Sequence, residues 1–309
     1  MIHTNQLDST KGQRRRINLG HSPDPDDAFM WFALADFVAP DGQRHKPKIN
    51  THGFDFVHVL EDIQSLNDRT ESGELEVTAL SIHQYAFVAD RYALTSCGAS
   101  MGDDFGPMIV CRDEPDRVDW SGLNLAIPGW RTSAWLACQL FLREQGVSLD
   151  QLSPSVLPFD QIMAQVVTGE FDAGLIIHEG QLTYGAHGLK CLVDLGAWWT
   201  RSRGLPLPLG GNAIRRDLGI ETSQICSVLL ESIRYGLEHR NDAISFALNY
   251  ARDLHHDLAD RFIEMYVNQW TLDCGSAGHK AINQFIQEGI QAGLVPDIGE
   301  IDFIKPGTT

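Results

Sequence analysis

The segment Phe171-Asp-Ala-Gly-Leu-Ile-Ile-His-Glu-Gly180 sets the strongest limit on how this chain can fold. A continuous apolar run bounded by turn residues fits a strand covered on both faces, which places it inside a sheet packed between helices. The run stops abruptly on His178, Glu179 and Gly180, at the carboxyl end where open α/β sheets place their ligand crevice. Imidazole changes charge near neutrality, so a histidine there suits acid or base chemistry, although it suits a strand-end hydrogen bond equally well. His178 is the leading candidate for catalysis, with Glu179 and Asp27 behind it.

The same strand-loop-helix order recurs along the chain. Residues Arg16 to Gly20 predict a strand that meets Ser22-Pro-Asp-Pro-Asp-Asp27, and a helix is expected from Ala28 to Phe37. Asp26 or Asp27 would suit the start of that helix, where exposed amides favour a carboxylate. A second strand, Glu76 to Leu80, leads into Ser81-Ile-His-Gln-Tyr85, and loops that end strands of one sheet converge on one crevice. Ser81 and the Asp26-Asp27 loop are therefore expected to face a common ligand, while His83 and Tyr85 read as helix-surface or core groups. A third unit runs from Leu123 to Ile127 through Pro128-Gly-Trp-Arg-Thr-Ser133 into a helix from Ala134 to Gln145. Thr132 and Ser133 there offer hydroxyls and first-turn amides to a carboxylate or phosphate. Because no G-x-G-x-x-G or G-K-[ST] spacing accompanies them, a small oxyanion fits better than a nucleotide.

At 309 residues the chain can hold two domains, and its 43% apolar and 21% charged content is that of an ordinary globular protein. A formal net charge of -17 argues against nucleic acid or an anionic membrane as partner. No apolar run approaches the roughly 18 residues of a membrane helix. Residues 1–16 lack a signal-like apolar core and read as a disordered tail. The six cysteines form no C-x-x-C pair, which is the pattern of reduced core thiols in a cytoplasmic protein, and no metal-ligand spacing occurs. From Thr222 onward apolar residues recur every three or four positions, as in helices. A crossover near Pro107 and a return near Gly211 divide the α/β units into two lobes, 17–107 with 212–309 and the inserted 108–211, with a ligand cleft between them. The Pro/Gly-rich run Gly204 to Gly211 would be a rigid return, a pocket wall, or both.

Ser22-Pro-Asp-Pro-Asp-Asp-Ala-Phe29, Leu80-Ser81, Ile127-Pro-Gly129, Leu175-Ile-Ile-His-Glu-Gly180 and Asp194-Leu-Gly196 through Gly211 together resemble the 1,4-dihydroxy-6-naphthoate synthase family of the futalosine route to menaquinone. The resemblance spans nearly the whole chain from Ser22. It implies a type II periplasmic-binding-protein-like fold and conversion of cyclic dehypoxanthinyl futalosine to 1,4-dihydroxy-6-naphthoate without metal or organic cofactor. It also implies His178 as general base, with Ala79, Leu80 and Ser81 as one substrate-binding segment and Thr132 with Ser133 as another. Where the family commonly shows Cys, Asn and Thr, this chain has Asp24, Asp26 and Ala28, whereas Asp27 is retained. The added carboxylate at position 26 would repel an anionic substrate or perturb its neighbours' pKa values. A binding protein for a small acid and chorismate dehydratase of the same pathway are the alternatives. The lack of an export signal weighs against the first, and the Ile176 to Gly180 segment against the second.

Overall fold

Two large sheets of seven and five strands, a separate two-stranded pair, Phe37–Val38 with Arg44–His45, and the helices between them make up the computed structural model, which describes residues 14–38, 44–115, 118–249 and 256–307. In chain order the strands are β1 (Arg15–His21), β2 (Phe37–Val38), β3 (Arg44–His45), β4 (Phe54–Leu60), β5 (Val77–Ser81), β6 (Tyr92–Thr95) and β7 (Ser100–Gly102). They continue as β8 (Met108–Cys111), β9 (Asn124–Ile127), β10 (Ser153–Val156), β11 (Ala173–Ile176), β12 (Lys190–Asp194), β13 (Leu207–Arg215) and β14 (Phe303–Ile304). The first sheet has the order β14-β6-β13-β5-β1-β4, with β7 joined to β13. The second has the order β10-β9-β11-β8-β12.

Parallel pairing within each sheet aims the loops at one place. In the first sheet β1 runs parallel to β4 and β5, so the chain leaves β1 at Ser22 and β5 at Ser81 on the same edge. In the second, β9 runs parallel to β10 and β11, which puts the Pro128–Thr132 turn beside His178. Residues Ala173, Leu175 and Ile176 of β11 are buried, as the apolar run requires. The Ile63–Ser72 helix packs on β5 and the Phe159–Thr168 helix on β11. Gly73 (φ 70°) and Gly169 (φ 87°) end the Ile63–Ser72 and Phe159–Thr168 helices in the left-handed conformation that favours glycine.

Several boundaries differ from expectation. Pro25 occupies the first helical position, so the helix after β1 is Pro25–Trp31, and a tighter turn, Phe32–Leu34, follows it. The strand expected from Arg16 to Gly20 runs from Arg15 to His21, so Arg15, expected in the tail, belongs to β1, while residues 1–13 lie outside the described residues. The run expected as a loop return is strand β13, antiparallel to β5 from Gly210 opposite Ser81 to Ile214 opposite Val77. Pro208 is accommodated where the pairing with β7 becomes irregular, between Pro208 and Gly210. All six cysteines are free thiols, five of them buried. No helix of the described residues is long and apolar enough to cross a membrane.

Candidate active site

The ends of β1, β5, β9 and β11 meet at a cleft of about 740 Å³ that is partly open to solvent. Its walls include Asp26 and Asp27 from the first loop, Ala79, Leu80 and Ser81 from β5, Thr132 and Ser133 from the third, and His178. His178, Asp27, Ala79, Leu80, Ser81, Thr132 and Ser133 thus line one cavity, whereas Glu179, the next catalytic candidate after His178, is not among its lining residues. Leu209 to Asn212 of β13 complete the wall, so the Pro/Gly-rich run is part of the pocket.

His178 carries the most constrained geometry. Its backbone sits at φ 53°, a left-handed conformation uncommon for a residue with a side chain and often found where function fixes the chain. The Phe159 ring stands edge-on to the imidazole at a centroid distance of 4.8 Å. Nδ1 lies 3.3 Å from Asp24 Oδ2, and Nε2 is buried with no hydrogen-bond partner among the described residues.

The turn from Ser22 to Asp24 and the first turn of the Pro25–Trp31 helix bring three carboxyl groups, Asp24, Asp26 and Asp27, to this end of the cleft. Ser22 N donates to Asp27 Oδ2 at 2.8 Å, which closes the loop on itself. Burial pushes Asp27 up to about 6, an effect that Asp24 reinforces and the Ser22 amide opposes. Asp26 is also raised well above the usual carboxylate range, first by burial and then by the charges of Asp27 and Asp24. A carboxyl raised in this way keeps its proton to higher pH than a free one, so the extra carboxyl at position 26 brings less repulsion to the cleft than its charge at full ionisation would.

Ser81 is placed by Asn67, a fully buried residue that sequence reasoning passed over. Asn67 Nδ2 donates to Ser81 Oγ at 3.0 Å and its Oδ1 accepts from Ser81 N at 2.9 Å. The same Nδ2 reaches the Arg131 carbonyl at 3.5 Å, and Gln64 Oε1 accepts from Arg131 N at 3.4 Å, so the Ile63–Ser72 helix touches the loop of the other sheet. Gly129 lets Gln64 approach this loop, since a Cβ there would fall 2.1 Å from Gln64 Oε1 and push that side chain aside. His83 makes a further tie across the sheets. Its ring Nδ1 lies 3.1 Å from the Thr132 carbonyl, and its backbone N–H donates to Ser133 Oγ at 3.2 Å. Opposite these contacts Tyr266 donates its hydroxyl to Gln181 Oε1 at 2.8 Å.

Thr132 has a local duty as well. Its hydroxyl donates to Gly129 O at 2.9 Å and accepts from Trp135 N at 3.2 Å, capping the Ser133–Glu144 helix, while Ser133 Oγ donates to Leu209 O at 2.5 Å. The groups in this wall without helical partners are the first-turn amides. Thr132→Val is therefore expected to lower stability by about 1 kcal/mol through loss of the cap, read as a Tm drop of a few degrees. An unchanged Tm with a raised KM would transfer the hydroxyl from the cap to the ligand. Among the described residues no cluster of three or more His, Cys, Asp or Glu is arranged to hold a metal ion.

Two sheets with a cleft across their strand ends define a periplasmic-binding-protein-like fold. The alkanesulfonate-binding protein of Xanthomonas axonopodis superposes with a TM-score of 0.66 at 12% identity, over 93% of this chain and 96% of that one. The sequence matches the family described as menaquinone biosynthesis over residues 17–290, and the chain belongs to that family. A 1,4-dihydroxy-6-naphthoate synthase of Thermus thermophilus is 35% identical over 90% of this chain and 95% of its own length. Its counterpart in Streptomyces coelicolor is 31% identical over 92% and 96%. A solved structure from Archaeoglobus fulgidus, 40% identical, has a TM-score of 0.80 and covers 91% of this chain and 98% of its own.

Proposed function

We propose that the chain is a 1,4-dihydroxy-6-naphthoate synthase, a lyase that takes cyclic dehypoxanthinyl futalosine to 1,4-dihydroxy-6-naphthoate, with His178 as general base. The observation that carries this reading is the His178 imidazole at the end of β11, flanked by Asp24 on Nδ1 and with Nε2 unengaged by the described residues. A base of this kind removes a proton from the bound ring system, and cleavage and aromatisation follow. No lysine or arginine lines the cleft among the described residues. The substrate carboxylate is instead received by the amides that open the Ser133–Glu144 helix and by the Ser81 hydroxyl. Asp27 tightens the loop that carries Asp24. The two lobes of this reading are 17–107 with 212–309 and 108–211, and the enzyme acts in the cytoplasm on this small molecule alone.

Incubation of purified protein with cyclic dehypoxanthinyl futalosine, followed by fluorescence and mass detection of dihydroxynaphthoate, tests the proposal. Turnover is expected, and it is expected to persist in a chelator because no metal-ligand spacing accompanies the base. Binding without product would leave the small-acid binding protein. Product from chorismate instead would move the chain to the dehydratase of the same pathway.

A further inference from the structure

We propose that Asp24 is a positioning residue for His178, holding the ring in the tautomer with the proton on Nδ1 so that Nε2 keeps its lone pair. This deepens the reading of His178 as the base and rests on it.

Asp24 leaves the usual duty of its position unfilled. It occupies the N-cap position of the Pro25–Trp31 helix, where an aspartate ordinarily accepts from the first-turn amides, yet its side chain makes no capping hydrogen bond. Its own amide donates to Ser22 Oγ at 3.2 Å, which turns the residue within the loop. The carboxylate is only 8% exposed, and a charge so buried requires a counter-group. The partner that the geometry provides is His178 Nδ1 at 3.3 Å.

The imidazole side of the contact is equally restricted. The left-handed backbone at φ 53° and the edge-on Phe159 ring limit the ring's orientations. The carboxyl groups at this end of the cleft are Asp24, Asp26 and Asp27, of which Asp24 and Asp27 act on the ring, and Glu179 is next in the chain. Asp27 is held by the Ser22 amide, which leaves Asp24 to face Nδ1. A carboxylate on one ring nitrogen fixes the tautomer and stabilises the imidazolium that forms when the other nitrogen takes a proton.

Asp24→Asn keeps the volume and removes the charge, and Asp24→Glu keeps the charge. For the Asn variant kcat is expected to fall by about ten- to a hundredfold with KM within a few-fold, as for other groups that orient a reacting histidine. The acid limb of its kcat/KM profile should move to lower pH, since the imidazolium loses its anionic neighbour. The Glu variant should recover part of the loss. Nitrogen-15 NMR of histidine-labelled protein reads the tautomer without turnover, with the Nδ1-protonated form of His178 expected in the wild type and a mixed population in Asp24→Asn. A wild-type Nε2-protonated ring, or a kcat and pH profile unmoved in Asp24→Asn, would overturn the assignment. If the tautomer behaves as expected but His178→Asn turns over normally, the base lies elsewhere and the positioning contact still stands.

Discussion

His178→Asn is expected to lower kcat by about 10² to 10⁴-fold with a smaller change in KM, the usual contribution of a general base. Asparagine keeps part of the polar contact to Asp24 but accepts no proton near neutrality, so it separates a reacting imidazole from one that caps a strand. The fold should tolerate the change. The backbone at φ 53° is left-handed, a region in which asparagine is among the residues most often found. Near wild-type turnover in this variant would remove His178 from the chemistry and direct the search to Glu179 and Asp27.

The second large effect concerns stability in acid. Burial lowers His21 to about 3, His58 to about 4 and His83 to about 4, and the neighbouring His58 depresses His21 further. His21 Nδ1 faces the Ser22 carbonyl at 2.8 Å and so carries the proton, which leaves its Nε2 to accept from His58 Nδ1 at 2.9 Å. Each ring is neutral when folded and free to protonate near 6.5 when unfolded, so the unfolded chain binds more protons below that pH. Stability should be full above about pH 6.5 and fall as the pH drops toward 4. Asp27, raised to about 6, and Asp26 act in the opposite sense, since the native state keeps protons there that the unfolded chain releases above about pH 4. The three histidines thus weaken the fold toward acid while the two carboxyls oppose them, and the slope of stability with pH reports the difference. Urea unfolding at pH 7, 6 and 5 measures the slope, and His83→Asn should flatten it. Stability that rises toward acid would show the cleft carboxyls to be dominant.

The strand-loop-helix units were legible because each depends on neighbours in the chain. The apolar run ending at His178, the Ser81 strand end and the Thr132-Ser133 helix start all fell within one cleft. What depended on distant partners was not legible. Strand β13 reads as loop because Pro208, Gly210 and Gly211 carry no strand signal, and its place comes from pairing with β5 and β6. Asn67 lies on a helix whose periodicity cannot distinguish a solvated amide from one that grips Ser81. Asp24 stood out only as a departure from the family's pattern, because its partner is far along the chain.

The late arrival of β13 also bears on how the protein forms. Strands β8 to β12 come from one uninterrupted stretch and can assemble as that stretch leaves the ribosome, whereas β5 and β6 must wait for Leu207–Arg215 before they are joined. Pairings so remote in sequence are slow, and until they are made two strand edges stand open to mistaken partners. When β13 does insert, it adds to the cleft wall only leucine, glycine and asparagine. The carboxyl and imidazole groups of the site are all synthesised before the strand that makes them a site.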